Sequence, residues 1–241
     1  MIWKMPEVPE YPETRIDKWK IFRKDPPFIR GYFKGLQGSK PNYVLQNVIS
    51  KEVVMSTTPM EIESQAPHVA SATGNVLVAG AGLGVYLYNV IKKREVKNVT
   101  VVEIDSTIIR FLLEIIDVQE WKGRSKIKFF NEDIFDFSAS RITSHKVKGV
   151  DFLYVDIWNE LMDGKALEDT KRIQSSIKAK SVGFWGQELE FIDWLNSNGY
   201  KPPPTMYQLR KWKKETKLPL VVNYDGYNIE CLKAAENVSL Y

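Results

Sequence analysis

A buried strand that runs directly into a cluster of glycines is the feature that most constrains how this chain folds. The apolar residues 75–79 are followed by Gly80, Gly82 and Gly84, and residues 83–94 then carry apolar side chains at helical spacing. In an open α/β sheet, this kind of crossover is the place where a ligand meets the N-terminus of a helix. Glycine is needed there because a Cβ would collide with the ligand or prevent the tight turn.

The spacing of these glycines distinguishes between kinds of ligand-binding loop. A dinucleotide-binding loop follows Gly-x-Gly-x-x-Gly/Ala, which counted from Gly80 requires Gly or Ala where this chain has Val85. A P-loop requires Gly-Lys-Ser/Thr, and no such sequence follows the glycines. The pattern present is Gly-x-Gly-x-Gly, so both of these phosphate-binding loops are excluded.

Strands and helices alternate along the chain after the glycine cluster. The predicted strands are residues 75–79, 98–104, 125–130, 149–155 and 181–185, and the predicted helices are residues 83–94, 107–118, 165–180 and 187–198. Ser106 is a suitable N-cap for the second of these helices. Alternation of this kind requires crossover connections, so we predict an α/β fold with a doubly wound, mostly parallel sheet.

The region before the sheet has a different character. Residues 18–60 hold short β-type runs separated by Gly, Pro and Ser, which predicts hairpins. Residues 1–17 contain three prolines and four acids, which predicts a loose arm, or a strap packed on the body or on a partner. We therefore divide the chain into an N-terminal arm and β-hairpin unit, residues 1–73, and an α/β domain, residues 74–241.

Acidic residues stand at the ends of the next three predicted strands. Glu103 ends the second strand, Asp133 follows the third strand, and Asp156 ends the fourth. The carboxyl ends of parallel strands meet at one edge of the sheet, where such sheets bind their ligands. Together with the glycine loop, this ordered set resembles the class I S-adenosylmethionine-dependent methyltransferases over residues 74–200.

The resemblance implies a binding site for S-adenosylmethionine or its decarboxylated form. The residues that it places around this donor are Gly80, Ala81, Gly82, Gly84, Glu103, Ile104, Asp133 and Ile134. In that superfamily, a residue in the position of Glu103 accepts hydrogen bonds from the ribose hydroxyls, and one in the position of Asp133 faces the adenine amino group. Asp156 is the candidate catalytic residue, because it is well placed to act as a general base.

Two details resemble the spermidine-synthase-like branch of this superfamily. One is the Val-Glu-Ile-Asp sequence that ends the second strand, and the other is the link from the β-hairpins through residues 55–61. In that branch the link approaches the amino-acid end of the donor, which makes Glu61 a candidate binding residue. Aminopropyltransferases also carry an Asp in the glycine loop and a second Asp shortly after the position of Asp156, and this chain has neither.

These similarities and differences leave three functions open. The first is a methyltransferase that uses S-adenosylmethionine and an unknown acceptor. The second is an aminopropyltransferase that uses the decarboxylated donor, with Asp156, Glu160 and Asp163 supplying carboxylates for a polycation. The third is a non-catalytic module that keeps the cofactor pocket. Relatives in this branch commonly associate through the N-terminal β unit, so the resemblance also implies a homodimer.

A basic segment near the end of the chain supports a further alternative. Residues 201–217 hold six basic residues and one acid, with Tyr207 and Trp212 among them, a pattern that suits single-stranded nucleic acid. The simpler interpretation is a solvated hairpin followed by a returning strand at residues 218–229. No Asn/Asp-Pro-Pro-Tyr/Trp motif follows the fourth strand and no Pro-Cys motif is present, so a small-molecule acceptor is favoured over nucleic acid.

Composition excludes several other classes of protein. A single cysteine, Cys231, rules out a disulfide framework, and we interpret it as a buried strand residue. Two histidines, His68 and His145, stand far apart in the sequence, so no metal site is expected. The apolar runs are too short for a membrane span of roughly 20 residues, and the N-terminus has no apolar signal core. The sequence therefore predicts a cytoplasmic protein with no membrane partner.

Overall fold

Six short strands form the N-terminal part of the chain, in a computed structural model that describes residues 2–38, 41–138 and 149–238. They are β1 (Thr14–Ile16), β2 (Trp19–Lys24), β3 (Phe28–Gly31), β4 (Gly35–Gly38), β5 (Asn42–Asn47) and β6 (Val53–Ser56). Four of them pair antiparallel in the order β1-β2-β5-β6, whereas β3 and β4 form a separate hairpin. The predicted N-terminal β unit is confirmed.

A five-stranded parallel sheet forms the centre of the molecule. Its strands are β7 (Gly74–Ala79), β8 (Val96–Glu103), β9 (Ile127–Asn131), β10 (Phe152–Val155) and β11 (Ser181–Phe184). They lie in the order β11-β10-β7-β8-β9, and every neighbouring pair runs parallel. The chain therefore starts at the middle of the sheet, builds outward to one edge and then returns to build the other. This arrangement confirms the doubly wound prediction.

Helices cover both faces of this sheet. They are α1 (Pro59–Ser71), α2 (Val85–Val90), α3 (Ser106–Glu114), α4 (Ala166–Ile177), α5 (Gln187–Ser197), α6 (Met206–Thr216) and α7 (Tyr227–Val238). Successive side chains of a strand point to opposite faces, so β7 contributes to two separate cores. Leu77 and Ala79 pack with residues of α4 to α7, whereas Val76 and Val78 pack with residues of α2 and α3.

The proline-rich N-terminal segment is a strap that packs on the body of the same chain. Trp3 and Tyr11 are buried, and the Tyr11 hydroxyl donates a hydrogen bond to the backbone oxygen of Leu83 at 3.0 Å. The backbone N–H of Glu7 donates to Oδ1 of Asn89 at 2.8 Å. The strap therefore lies against the glycine loop and helix α2 of the same chain. Of the predicted alternatives, a loose arm or a strap packed on the body or on a partner, the structure shows the strap packed on the body.

A buried carboxylate on α1 attaches the β3–β4 hairpin to the body. The Glu63 side chain is fully buried and accepts the backbone N–H of Phe33 at 2.6 Å, the N–H of Lys34 at 3.1 Å and Nε2 of Gln37 at 2.8 Å. A Cβ on Gly31 would overlap the Glu63 carboxylate and the Gln37 amide, so glycine is required at that position. The hairpin is therefore held by hydrogen bonds to one acidic side chain.

Helix α3 begins and ends at other residues than its sequence predicts. Its N-cap is Asp105 rather than Ser106, because the Asp105 side chain accepts the backbone N–H of Thr107 at 2.8 Å. The helix ends at Glu114 instead of residue 118, and Asp117 adopts a left-handed backbone conformation with φ 53°. The predicted helix was therefore too long at its C-terminal end.

Most of the basic segment 201–217 forms helix α6, and it does not form a hairpin. Thr205 and Gln208 form a capping box at the start of α6, which satisfies two backbone N–H groups at once. Leu209 and Trp212, three residues apart, are buried on one face of this helix and join the core. The prediction of a solvated hairpin was wrong because this amphipathic spacing and the cap outweigh the prolines that precede them.

The strand predicted at residues 218–229 is reduced to a single bridge in the described part of the chain. Leu220 pairs in parallel with Val182 of β11, and the chain then turns through Gly226, with φ +78°, into α7. Cys231 is fully buried, as predicted, but in this helix rather than in a strand. A buried position fits the apolar spacing of a helix as well as that of a strand, so burial alone could not distinguish the two.

Replacing Glu63 tests how much the hairpin depends on it. Glu63→Ala leaves two backbone donors without their acceptor, so we expect the free energy of unfolding to fall by about 3 kcal/mol. Urea denaturation followed by tryptophan fluorescence measures this loss. Glu13→Ala, at an exposed position of the strap, is the matched control and should change stability little. Equal stability of the two variants would contradict this role for Glu63.

Candidate functional site

A cavity of about 390 Å³ opens at the carboxyl ends of the parallel strands. The strand order reverses between β7 and β10, and residues that follow β7, β8, β9, β10 and β11 all contribute to its lining. The N-terminal β unit and α1 form the opposite wall, through residues such as Trp19, Val54 and Glu61. Open α/β sheets bind ligands at this kind of topological switch point, so this cavity is the candidate functional site.

Nine of the ten predicted site residues line this cavity. They are Glu61, Gly80, Ala81, Gly82, Glu103, Ile104, Asp133, Ile134 and Asp156. The tenth, Gly84, does not line it. Gly84 is the N-cap of α2 with φ +77°, and a Cβ there would lie 2.9 Å from both Leu112 and Trp121. Packing against these two side chains explains why this third position requires glycine.

The first two glycines let the loop approach Asp156 and Met55 closely. Gly80 has φ +88°, and a Cβ on it would overlap the backbone oxygen of Asp156. Gly82 has φ +49°, and its Cβ would overlap Sδ of Met55, which also accepts the Leu83 backbone N–H at 2.9 Å. Only glycine combines these φ values with such close approach. The loop therefore presents bare backbone to any ligand in the cavity.

Glu103 connects the glycine loop to the end of the neighbouring strand. Its Oε2 accepts the backbone N–H of Ala81 and its Oε1 accepts that of Asp105, each at 2.8 Å. Burial raises the pKa of Glu103, and these two backbone donors oppose the rise. Each carboxylate oxygen has two lone pairs, so both can accept a further hydrogen bond from a ligand.

The loop after β9 forms another wall of the cavity. Oδ1 of Asp133 accepts the backbone N–H of Phe135 at 2.9 Å, which closes a tight turn, and Ile134 is buried beside it. Ile104, which follows β8, is 69% exposed at the cavity mouth. The Asp133 side chain thus shapes its own loop while it lines the cavity.

Two carboxyl groups, those of Asp156 and Glu61, interact across the cavity. Oδ2 of Asp156 accepts a hydrogen bond from the Tyr154 hydroxyl at 3.3 Å, and burial raises the pKa of Asp156 to about 7. Burial and the charge of Asp156 raise the pKa of Glu61 well above its usual range. Like charges this close disfavour joint ionisation, so the pair holds a proton more readily than either isolated carboxyl would.

The described residues around the cavity carry negative charge without a basic partner in the lining. Seven acids line it, and no lysine, arginine or histidine does so: the acids are Glu52, Glu61, Glu103, Asp105, Glu132, Asp133 and Asp156. Asp105 is paired from outside by Lys18 at 2.7 Å. The chain as a whole has a net charge of +4, so the cavity contrasts with the rest of the molecule and favours cationic ligands.

Several other candidates from the sequence lie away from this cavity. Glu160 and Asp163 are exposed and do not line it. None of the residues 201–217 of the basic segment lines it either. Trp158 does line it, and its indole N–H donates a hydrogen bond to Oδ2 of Asp169 at 3.0 Å, which anchors the ring.

His68, the one histidine within the described residues, does not line the cavity. His68 is buried on α1, and burial lowers its pKa to about 3, so it is neutral. His145 lies outside the described residues. Within the described ranges, no group of three or more His, Cys, Asp or Glu side chains is arranged to hold a metal ion.

Across those same ranges, no helix combines the length and apolar character that a membrane span needs.

Many of the lining residues were not identified from the sequence, and four of them carry polar or aromatic groups that bear on the chemistry of the site. Tyr154 and Tyr86 stack with ring centroids 4.1 Å apart, and Trp185 donates its indole N–H to Oγ of Ser64 at 2.9 Å. Gln65 is the fourth and lies one helical turn after Glu61 on α1. In the sequence, the three aromatic residues show only the apolar spacing that is typical of core residues, so nothing marked them as part of a site. Gln65 belongs to helix α1, which the sequence analysis did not predict.

Removal of the Tyr154 hydroxyl tests the Asp156 environment. Tyr154→Phe deletes the donor that stabilises the carboxylate, so we expect the pKa of Asp156 to rise above about 7. Carboxyl carbon-13 NMR of Asp-labelled protein, titrated from about pH 5 to about pH 9, measures it. Tyr88→Phe is the control and should leave this pKa unchanged. An unchanged or lower pKa in Tyr154→Phe would contradict the assignment.

The same pKa has a consequence for stability. An acid that binds its proton more tightly in the folded chain than in the unfolded chain destabilises the fold once it ionises. The contribution of Asp156 to the free energy of unfolding should therefore fall as the pH rises from about 4, the ordinary pKa of Asp, to about 7.

Comparison with solved structures finds distant neighbours. In structure, the methyltransferase domain of bacterial CtHen1 matches 64% of this chain and 83% of its own, with 14% identity and a TM-score of 0.39. The spermidine synthase of Thermotoga maritima matches 73% of this chain, with 14% identity and a TM-score of 0.38. The present chain spans 55% of that synthase. Comparison with curated protein sequences gives no match.

The sequence profile of the spermine/spermidine synthase domain matches residues 54–181. This match begins in β6, includes α1 and the glycine loop, and ends at the first residue of β11. It therefore contains nearly all of the cavity-lining residues and more than half of the chain. On this ground the chain belongs to the spermine/spermidine synthase domain family.

Proposed function

We propose that this chain is a transferase that binds a sulfonium donor of the S-adenosylmethionine type and passes one of its alkyl groups to a small acceptor. The simplest form of this reaction is methyl transfer from S-adenosylmethionine. The observation that carries the proposal is the meeting of a glycine cradle, Glu103 and Asp156 around one cavity at the switch point of the sheet. Family membership supports the same assignment.

The cavity offers a suitable partner for each part of such a donor. Gly80 and Gly82 line the cavity without side chains, which suits close approach of the donor chain. The free lone pairs of Glu103 suit the two ribose hydroxyls. We assign the adenine to the wall formed by Asp133 and Ile134, and the amino group of the donor to Glu61.

Asp156 supplies the proton chemistry in this proposal. A sulfonium donor, when bound, supplies a carbon that is already strongly electrophilic, so the protein has mainly to align the acceptor and exclude water. A protonated amine must lose a proton before it can attack. Asp156, with a pKa near 7, is able to take that proton at neutral pH.

Aminopropyl transfer from the decarboxylated donor is a second candidate that a specific observation favours. The described lining has seven acids and no basic side chain to pair with the carboxylate of S-adenosylmethionine. A donor without that carboxylate suits such a surface better. Leu83 weighs against this candidate, because it is fully buried and leaves the glycine loop without the acid that aminopropyltransferases carry there.

Donor binding is the first test of the proposal. We expect S-adenosylmethionine and S-adenosylhomocysteine to bind in calorimetric titration, and Glu103→Ala to weaken both by about 100-fold through loss of two charged hydrogen bonds. Glu114→Ala, an exposed acid on α3, is the matched control. Tighter binding of the decarboxylated donor would favour aminopropyl transfer. If none of these donors binds, the proposed function is wrong.

Turnover tests the role of Asp156. With a panel of primary amines, we expect Asp156→Asn to lower kcat by about 100-fold or more and to leave donor binding intact. The wild-type rate should rise with pH through about 7, and the variant should lose this dependence. Mass spectrometry of released S-adenosylhomocysteine or 5′-methylthioadenosine measures the rate and distinguishes methyl from aminopropyl transfer.

Asp163→Asn is the control for that experiment, because Asp163 is exposed and lies outside the cavity lining. Equal rates for Asp156→Asn and the wild type would contradict the proton-acceptor role. Donor binding without turnover of any acceptor would instead favour a binding module.

A further inference from the structure

Helix α6 has an inner face that joins the core and an outer face that carries basic and aromatic side chains. Leu209 and Trp212 are buried on the inner face. Tyr207, Arg210 and Lys214 follow one another at spacings of three and four residues, so they lie together on the outer face, and all three are exposed. The Tyr207 side chain is 73% exposed. The outer face is therefore positively charged with an aromatic ring at its surface.

The one acid of this helix is turned toward α5 and does not neutralise the outer face. Glu215 accepts the indole N–H of Trp194, on α5, at 2.9 Å and lies 3.9 Å from Nζ of Lys211. Among the described residues, neither Arg210 nor Lys214 has an acidic ion-pair partner. The charges of the outer face are thus available to an external anion.

The spacing of these charges costs the helix stability. Arg210 and Lys214 are four residues apart, and like charges at this spacing destabilise a helix. Lys213 and Lys217 repeat the same spacing. The helix dipole favours cations in the last turn, which accounts for Lys213 and Lys214 but not for Arg210. A partner with several negative charges would relieve this repulsion.

Further aromatic rings stand beside the outer face. Lys211 donates a hydrogen bond to the Tyr200 hydroxyl at 3.1 Å, and its Nζ lies 5.8 Å from the ring centroid of Trp194. Tyr200 and Trp194 are half-buried, with ring centroids 5.6 Å apart. Cations interleaved with aromatic rings are typical of surfaces that bind single-stranded nucleic acid, because phosphates pair with the cations and bases stack on the rings.

The position of α6 argues against a membrane as the partner and separates the outer face from the cavity. A basic amphipathic helix enters a membrane with its apolar face, but Leu209 and Trp212 already occupy that face of α6 within the core. No residue of the segment 201–217 lines the cavity. The chain leaves α6 toward the amino end of β11, where Leu220 pairs with Val182, whereas the cavity opens at the carboxyl ends of the strands.

We propose that the outer face of α6 is a docking surface for a single-stranded polynucleotide. Arg210, Lys214 and Lys217 contact phosphates of the strand, and Tyr207 stacks on one of its bases. A duplex keeps its bases stacked within the helix, so it would engage the charges and not the ring. This surface lies outside the cavity, so the inference goes beyond the proposed transferase function and does not rest on it.

Fluorescence anisotropy of the full chain with labelled oligo(U) or oligo(dT) of about 12 nucleotides tests the proposal. Counterion release gives a slope of log K against log salt of about −0.7 for each phosphate contacted in a single strand. We expect binding with a slope of about −2 for three contacts. The double variant Arg210→Gln/Lys214→Gln should weaken binding by about 10-fold or more at about 50 mM salt and make the slope shallower by about 1.4.

Control variants separate the outer face from net charge. Lys20→Gln/Lys122→Gln removes the same two charges from exposed positions elsewhere and should change binding little. Tyr207→Ala should weaken binding by about 5-fold with an unchanged salt slope, and Tyr207→Phe, which keeps the ring, should bind as the wild type does. Because all of these side chains are exposed, thermal unfolding should be nearly the same in every variant.

Four results would overturn the proposal. One is the absence of binding of both oligonucleotides to the wild type. Another is an equal loss in the two double variants, which would mean attraction by net charge alone. A third is binding of an RNA duplex or inorganic polyphosphate as tightly as the single strands, with no effect of Tyr207→Ala. The fourth is competition by phosphatidylserine vesicles that Arg210→Gln/Lys214→Gln abolishes, which would assign the surface to membranes. None of these titrations uses a donor, so they are independent of the proposed function.

Discussion

The structure around the cavity depends on the buried carboxylate of Glu103. Through its two oxygens it holds the backbone N–H of Ala81, in the glycine loop, and that of Asp105, in the turn after β8. Asp105 then caps α3 through Thr107 and accepts the indole N–H of Trp19, from the N-terminal β unit, at 3.0 Å. Three parts of the chain that are distant in sequence therefore meet through two acids. These hydrogen bonds fix the glycine loop relative to the turn after β8.

The distribution of charge is the second organising property of this molecule. The chain carries 34 basic and 30 acidic residues, yet its described cavity lining has acids and no basic side chain. Within a partly buried cavity, charges interact more strongly than they do on the surface. Burial raises the pKa of Asp156, and burial together with the charge of Asp156 raises the pKa of Glu61, so both hold protons at pH values where exposed carboxyls are ionised. The remaining acids of the lining can therefore attract a cation, and Asp156, with a pKa of about 7, can take a proton from it.

The sequence predicted the sheet and the strand-end residues well, because both follow from local patterns. A strand, a glycine loop and an acid at each next strand end are short-range signals, and parallel strands bring them to one edge. Helix α1 has no such signal, since Pro59 and Pro67 interrupt its pattern, although proline is tolerated at the first helical position. Gln65 and the pairing of Glu61 with Asp156 depend on this helix. Neither could be found without the tertiary placement of α1.

Helix α1 contributes side chains both to the cavity wall and to the attachment of the β3–β4 hairpin, and these side chains are only two residues apart. Glu61 and Gln65 line the cavity, whereas Glu63 holds the backbone N–H groups of Phe33 and Lys34 in the β3–β4 hairpin. The hairpin cannot detach without exposing a carboxylate on the helix that also forms the cavity wall. By thermodynamic linkage, a ligand that binds only the ordered wall must stabilise the hairpin by the same free energy that the hairpin contributes to binding. Occupancy of the cavity should therefore increase the hydrogen-exchange protection of two backbone amides in the turn of the β3–β4 hairpin.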